Sequence, residues 1–348
     1  MALDPTAELG DLLQALVDIE SVSGDEGRLC DEIEQVLRAC PHLGVTRDQD
    51  ALVAKTDLGR ANRVAVAGHI DTVPVAGNLP SRRQGGVVYG RGSADMKGGI
   101  AVMLSLAAAL DHPKHDVTWI FYDHEEVEAD KNGLGRLSPA DLAADLAVLM
   151  EPTNALIEGG CQGTLRCEIE TRGVAAHSAR AWLGHNAIHD AFDVLARLHR
   201  YQPREVDVEG LTYREGLNAV GISGGVAGNV IPDSCVTTVN FRFAPDRDEA
   251  SAKDFVEEFF PGYEPRFTDF AAGAKPGLDG RLAREFAAAV GGPVSPKFGW
   301  TDVARFSAMG IPALNYGPGD PGKAHKDDEC CPVDQLEACR RGLAGYLG

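Results

Sequence analysis

Near the start of the chain, Leu9, Leu12, Leu13, Leu16 and Val17 recur at helical spacing and predict an amphipathic helix. A second helix is expected after Ser23-Gly24-Asp25, with Leu29, Ile33, Val36 and Leu37 on its apolar face. The pattern then changes to short continuous apolar runs at 63–68, 117–122 and 146–150, as strands buried on both faces require. Between the first two of these, residues 98–110 read as a small-residue helix. Strands alternating with helices predict an α/β sheet core.

The middle of the chain obeys a different rule. Thr164-Leu165-Arg166-Cys167-Glu168-Ile169-Glu170 alternates apolar and polar, the mark of an antiparallel strand with one face in solvent. A helix over 186–200 follows, then alternating strands around 219–223 and 236–241. A helix over 250–260 and a strand near 266–268 complete a β-α-β-β-α-β order, the ferredoxin-like split motif. Residues 163–273 are therefore expected to form an α+β domain inserted into an α/β domain made of 1–162 and 274–348. The tail returns to α/β grammar, with helices at 281–290 and 303–309 before the apolar run 311–316.

At 348 residues the chain is too long for one ordinary core, which agrees with two domains. The formal net charge of −19 repels nucleic acid and anionic membranes, so neither is expected as a partner. An anionic small substrate would then need a local basic pocket. The N-terminus has no basic start followed by an apolar run, and no apolar stretch is long enough to span a membrane. The eight cysteines form no C-x-x-C pair, so free thiols in a reducing cytoplasm are expected.

Five segments put metal-type ligands beside predicted strand ends: Gly68-His69-Ile70-Asp71, Gly92-Ser93-Ala94-Asp95-Met96, Asp123-His124-Glu125-Glu126, Met150-Glu151-Pro152 and Ala324-His325-Lys326. Ligands of open α/β sheets bind outside the carboxyl ends of the strands. Taken singly, a Glu-Glu pair is usually a solvated surface feature and a His-x-Asp means little; five such segments in the same context reverse those odds. A pair of ions sharing one carboxylate needs that bridge plus about two more protein ligands each. His69, Asp95, Glu126, Glu151 and His325 supply that set, a mixed N/O site suited to zinc, cobalt or manganese. Glu125 is left beside a ligand and points away from it on an extended chain, where a carboxylate serves as general base. Asp71, two residues after His69, is placed to hold the imidazole.

With those residues in view, the chain resembles the M20 family of metallopeptidases and deacylases. The resemblance is carried by Gly68-His69-Ile70-Asp71-Thr72-Val73-Pro74, Gly90-Arg91-Gly92-Ser93-Ala94-Asp95-Met96-Lys97-Gly98, Glu125-Glu126, Glu151-Pro152, Ala176-His177-Ser178-Ala179, Gly228-Asn229-Val230-Ile231-Pro232-Asp233 and His325. It implies a zinc-dependent exopeptidase-like catalytic domain with an inserted ferredoxin-like lid that dimerises. It further implies His69 and Glu151 on one metal, Glu126 and His325 on the other, Asp95 bridging, and a cis peptide after Asp95. Zinc is the implied metal, with cobalt as its substitute. It implies too that His177 of one lid serves the metal site of the partner subunit in a homodimer. The runs around 160–166, 176–182 and 299–303 are similar to members that hydrolyse N-succinyl-LL-2,6-diaminopimelate to succinate and LL-diaminopimelate. For the carboxylates of such a substrate, Arg180 and Arg242 would provide guanidinium forks, and Asn229 and Thr301 neutral hydrogen bonds. Cys161-Gln162-Gly163 departs from the Arg-Arg-Gly run of better-known members, which puts a neutral residue at 162.

The same metal core serves other N-acyl amino acid deacylases, such as acetylornithine deacetylases, and small-peptide aminopeptidases. A different chemistry is suggested by Gly221-Ile222-Ser223-Gly224-Gly225, a G-x-S-x-G run with Asp302 and His325 downstream, which would make Ser223 a nucleophile. That motif needs a strand, a sharp turn and then a helix. The glycine-rich run after Ser223 predicts a hairpin instead.

Overall fold

The computed structural model describes residues 3–348. The continuous apolar runs lie in a mixed eight-stranded sheet. Its order is Gly44–Asp48, Ala51–Lys55, Asp116–Tyr122, Arg63–His69, Leu146–Leu149, Ala313–Asn315, Ile157–Gly159 and Val294–Pro296. The middle four run parallel, and of their residues only Arg63 is not buried. The helices Leu9–Val17, Gly27–Arg38, Lys97–Ala109, Arg281–Val290 and Val333–Leu347 share one core with this sheet.

Lys97–Ala109 is apolar on nearly every side, which suits a helix enclosed by others. Its first turn lies tight against the chain that follows the strand Leu146–Leu149. A Cβ on Gly99 would come within 2.5 Å of the Met150 carbonyl oxygen.

Several elements were not expected. The hairpin of Gly44–Asp48 and Ala51–Lys55, the three-residue strands Arg82–Gln84, Val87–Tyr89 and Cys330–Pro332, and the lid hairpin of Glu205–Val208 and Leu211–Arg214 are too short to show a period. The final helix, Val333–Leu347, carries Gly342 and Gly345 inside it, which interrupts its pattern.

The chain divides into two compact units. One comprises the residues up to Gly159, with Pro276–Ser295 and Thr301–Gly348; the other comprises Gly160–Lys275 with Pro296–Trp300. Residues 296–300 thus belong with the insert rather than with the tail. The Gln162 amide donates to the Lys297 carbonyl at 3.2 Å, and Trp300 Nε1 donates to the Ala272 carbonyl at 3.0 Å.

Within the inserted unit, an antiparallel sheet has the order Gly216–Gly224, Ser234–Phe243, Gly163–Arg172 and Arg266–Ala271, with helices Ala187–His199 and Glu249–Phe259. Chain order is β-α-β-β-α-β. Leu165, Cys167, Ile169, Val239, Phe241 and Phe243 face the helices with Val194, Ala252 and Val256. Alternation puts Thr164, Arg166, Asn240 and Arg242 on the opposite, open face. All eight cysteines are free, and among the described residues no helix is long and apolar enough to cross a membrane.

Candidate metal centre

His69 is the last residue of its parallel strand, and its ring is 1% exposed. Its Nδ1 donates to the Asp71 carbonyl oxygen at 3.0 Å. A carbonyl can only accept, so a proton belongs on Nδ1, and loss of the Nε2 proton would free a lone pair beside Asp95 Oδ1, 3.2 Å away, for a metal ion.

The Asp71 side chain does something the sequence did not suggest. Its Oδ1 accepts from the Glu125 amide and its Oδ2 from the Glu126 amide, both at 3.0 Å, while Ser23 Oγ donates to Oδ2 at 2.6 Å. Its nearest approach to the His69 ring is 3.5 Å. Asp71 therefore straps the Glu125-Glu126 backbone more than it holds the imidazole by its carboxylate.

Asp95 sits in the loop before Lys97–Ala109, and the Asp95-Met96 peptide is cis. The amides of Ala94 and Asp95 both donate to Glu329 Oε1 at 3.1 Å. Glu329 Oε2 in turn accepts from Arg91 Nη1 at 2.9 Å, and both residues are buried. Arg91 also donates to the Pro74 and Lys326 carbonyls. One buried ion pair thus ties together the loops around 74, 95 and 326. Sequence reading passed over it, although Arg91 stands inside the Gly90-Arg91-Gly92 run and Glu329 four residues after His325.

Glu151 follows the strand Leu146–Leu149 by two residues and is buried. His325 adopts a left-handed backbone (φ 65°), with Nε2 3.0 Å from Glu126 Oε1 and 3.4 Å from Asp95 Oδ2. His69, Asp95 and Glu151 bring one ligand atom each to within 4.8 Å of one another, and so do Asp95, Glu126 and His325. The two sets meet at Asp95.

The donors suit a cation pair. Two imidazoles and three carboxylates are a borderline N/O set. The carboxylates of Asp95 and Glu126 push His325 up to about 10 against partial desolvation. Burial opposes the same effect at His69, yet Asp71 and Asp95 still raise it well above its ordinary range. Surroundings this acidic favour positive charge at their centre. A further cluster, Glu26, Asp123 and His124, lies beside the Glu125-Glu126 strap, with His124 Nδ1 2.5 Å from Asp123 Oδ2. Arg136 Nη2 donates to Asp123 Oδ1, so one carboxylate of this cluster already has a cation partner.

Glu125 is partly buried, and desolvation drives its carboxyl well above the ordinary carboxylate range. His69 opposes this, while the negative charges of Asp302, Glu151 and Glu126 reinforce it. Asp302 is itself fixed by Asn132 Nδ2 at 2.9 Å and Arg305 Nε at 2.6 Å.

The remaining expected residues are divided between the units. Thr301 is buried, and its hydroxyl donates to Asn315 Oδ1 at 2.8 Å. In the inserted unit His177 is exposed, and its Nδ1 accepts from the Ala179 amide at 3.0 Å. That leaves Nε2 as an outward N–H donor. Arg180 is exposed in the 3₁₀ turn Ser178–Leu183. Asn229 is exposed, and its carbonyl accepts from the Ser178 amide. Arg242 is half-buried on the open sheet face. Gln162 is buried and spends its side-chain amide on the Arg214 carbonyl at 2.7 Å. Ser223 pairs with Val236 in the body of an exposed edge strand, not at a strand-to-helix turn, so the nucleophile-elbow geometry is missing.

Residues 65–348 match the model of peptidase family M20/M25/M40. The chain is 53% identical over 352 residues, 99% of each chain, to a putative succinyl-diaminopimelate desuccinylase of Mycobacterium tuberculosis. It is 50% identical over 356 residues to the succinyl-diaminopimelate desuccinylase of Corynebacterium glutamicum, covering 97% of this chain and 96% of that one. Its fold is similar to that of a tripeptidase from Staphylococcus aureus, with a TM-score of 0.81 at 20% identity, over 100% of this chain and 98% of the other.

Proposed function

The chain belongs to peptidase family M20/M25/M40, and we propose that within it the protein hydrolyses N-succinyl-LL-2,6-diaminopimelate to succinate and LL-2,6-diaminopimelate, a step toward lysine. One observation carries the chemistry: two three-donor sets share Asp95, and Glu125 lies beside them with its carboxyl already biased toward holding a proton. The succinyl specificity is supported by identity of 50–53% to two proteins bearing that name.

His69, Asp95 and Glu151 would hold one divalent ion, and Asp95, Glu126 and His325 the other, zinc in both places with cobalt as a working substitute. When bound, such ions supply Lewis acidity to the attacking water and to the amide carbonyl. Glu125 takes the proton of the attacking water and passes it to the leaving amine. Asp71 keeps that carboxylate in place through the backbone hydrogen bonds to 125 and 126. Arg242 and Arg180 would receive substrate carboxylates in two-point contacts.

We also propose a homodimer formed by the inserted unit. Ile188, Phe192 and Leu195 lie on one face of the helix Ala187–His199 and are exposed, Phe192 by 74%. Val220 and Ile222 are exposed on the neighbouring edge strand, whose outer hydrogen-bonding groups need a partner. In that dimer His177 would serve the partner's metal centre.

The test is a substrate panel. Zinc-loaded protein is assayed for amine release from N-succinyl-LL-diaminopimelate, N-acetylornithine and simple dipeptides, before and after chelation. The expected result is a kcat/KM at least about a hundredfold higher for the succinyl substrate. Activity should vanish with chelator and return with zinc. Preferential cleavage of dipeptides would overturn the substrate assignment, and chelator-resistant turnover the metal assignment.

A further inference from the structure

On the open face of the inserted sheet, charges are unevenly settled. Glu168 pairs with Arg266, and Glu170 with Arg172 and the Ser234 hydroxyl. Arg242 has no such arrangement. It is half-buried, and among the described residues its guanidinium makes no hydrogen bond or ion pair. Its register neighbours are Gly216, which has no side chain, and Thr164, whose Oγ1 already accepts from Asn240 Nδ2 at 2.9 Å.

The next charged group along this face has the same sign. Arg166 stands opposite Asn240, two positions from Arg242's own partner, which makes the two arginines diagonal neighbours. Diagonal pairs are about 7–8 Å apart at the backbone, within reach of long side chains. Burial and then the charge of Arg166 both depress the Arg242 pKa, while the Cys161 thiol and Asp269 act the other way. Asp269 stands opposite Arg166 on the strand Arg266–Ala271, on the side away from Arg242. It lies 3.9 Å from Arg166, too far for a hydrogen bond, and both of those groups are about half exposed. Two guanidinium groups against one loosely placed carboxylate leave an excess positive charge on an otherwise acidic protein. A half-buried, unpaired cation beside a like charge is unfavourable unless an anion joins it.

We propose that Arg166 and Arg242 together form a carboxylate subsite on the open face of the inserted sheet, and that Arg166 is a specificity-determining residue for the acidic substrate. The subsite deepens the desuccinylase reading and rests on it. Gln162 does not contribute, because its amide is committed to the Arg214 carbonyl. The carboxylate comes either from the succinyl tail or from the amino-acid end, since both present the same group.

The experiment compares full-length, zinc-loaded wild type with Arg166→Met, Arg166→Lys and Asp269→Asn. For Arg166→Met the expectation is a KM for N-succinyl-LL-diaminopimelate raised about tenfold or more, the size of one lost charge-assisted contact, with kcat within about twofold. Arg166→Lys should recover part of the loss, since lysine keeps the charge without the fork. Asp269→Asn should leave KM unchanged or lower. Calorimetric titration with succinate and with LL-diaminopimelate reads the subsite without turnover. Weakened succinate binding in Arg166→Met identifies the acyl tail as the bound end, and weakened diaminopimelate binding the other end. The proposal is overturned if Arg166→Met keeps a wild-type KM and binds both ligands normally. It is equally overturned if Asp269→Asn reproduces the Arg166→Met loss, since Arg166 would then act only as the partner of Asp269. Failure of wild type to cleave the succinyl substrate would instead strike the desuccinylase reading, and the same KM comparison would pass to whichever N-acyl amino acid is cleaved.

Discussion

Asp71 has no exposed surface and holds its carboxylate against two successive amides and a serine hydroxyl. Because the backbone at 125 is fixed from behind, exchanging the Glu125 side chain should alter the chemistry without moving the candidate ligand Glu126. Glu125→Gln is therefore expected to lower kcat by about 10²–10⁴-fold, the usual worth of a general acid–base. Elemental analysis should still find two metal ions per chain. Near-normal turnover would dismiss Glu125 as the base, and loss of metal would make it a ligand. Most of the candidate ligands were legible because His69, Asp95, Glu126 and Glu151 are polar residues placed close to an apolar strand or helix, a juxtaposition visible in one dimension; His325, in a loop after Pro321–Lys323, was legible only through the company of the others. The Arg91–Glu329 pair was not, since it is 238 positions apart and each member alone looks like a solvated charge. The Thr301–Asn315 contact was illegible for a related reason: a hydroxyl in a polar run gives no sign of the partner it will meet.

The parallel strands and the helix Lys97–Ala109 were readable as elements because continuous apolar runs bounded by glycine or by charged residues admit few other structures. What the pattern did not reveal is how closely that helix lies against Met150. At Gly99 an added Cβ would meet the Met150 carbonyl oxygen at 2.5 Å and its Cβ at 2.6 Å, both on the segment leading into Glu151. Gly99→Ala should therefore destabilise the protein in spite of alanine's better helix propensity. Overpacking costs about 1–3 kcal/mol, against a propensity gain of about 1 kcal/mol. Gly345 lies in the helix Val333–Leu347 with nothing within 4 Å of its Cβ position, so Gly345→Ala is the control. It should raise stability by up to about 1 kcal/mol. Urea unfolding of the chelated proteins measures both. A Gly99→Ala midpoint equal to or above wild type would show that the helix can move away from the strand at little cost.

For the whole molecule, the alternating strands between 163 and 271 made the insert legible, because one exposed face forces period-two patterning. Its supplement at Pro296–Trp300 was not, since five residues separated by sequence from the insert carry no pattern of their own. Nor does periodicity reveal which subunit a histidine serves. His177 Nδ1 accepts from the Ala179 amide, which fixes Nε2 as an outward-facing N–H donor. Such a donor suits the negative charge that builds on the amide oxygen, and losing one typically costs about 10²–10³ in turnover. Glu125→Ala and His177→Ala are each expected to be nearly inactive as homodimers. If His177 serves the partner's site, a mixed dimer has one site lacking both groups and one site with both intact. Activity per mixed dimer should then return to about half of wild type, provided the sites act independently. If His177 serves its own chain, every site in the mixture lacks one group and nothing returns. Subunit exchange is verified separately by mixing two differently tagged wild-type samples and isolating the doubly tagged species. Exchange with no recovery would assign His177 to its own chain, and would leave the apolar surface of Phe192, Val220 and Ile222 with a purely structural part in the proposed dimer.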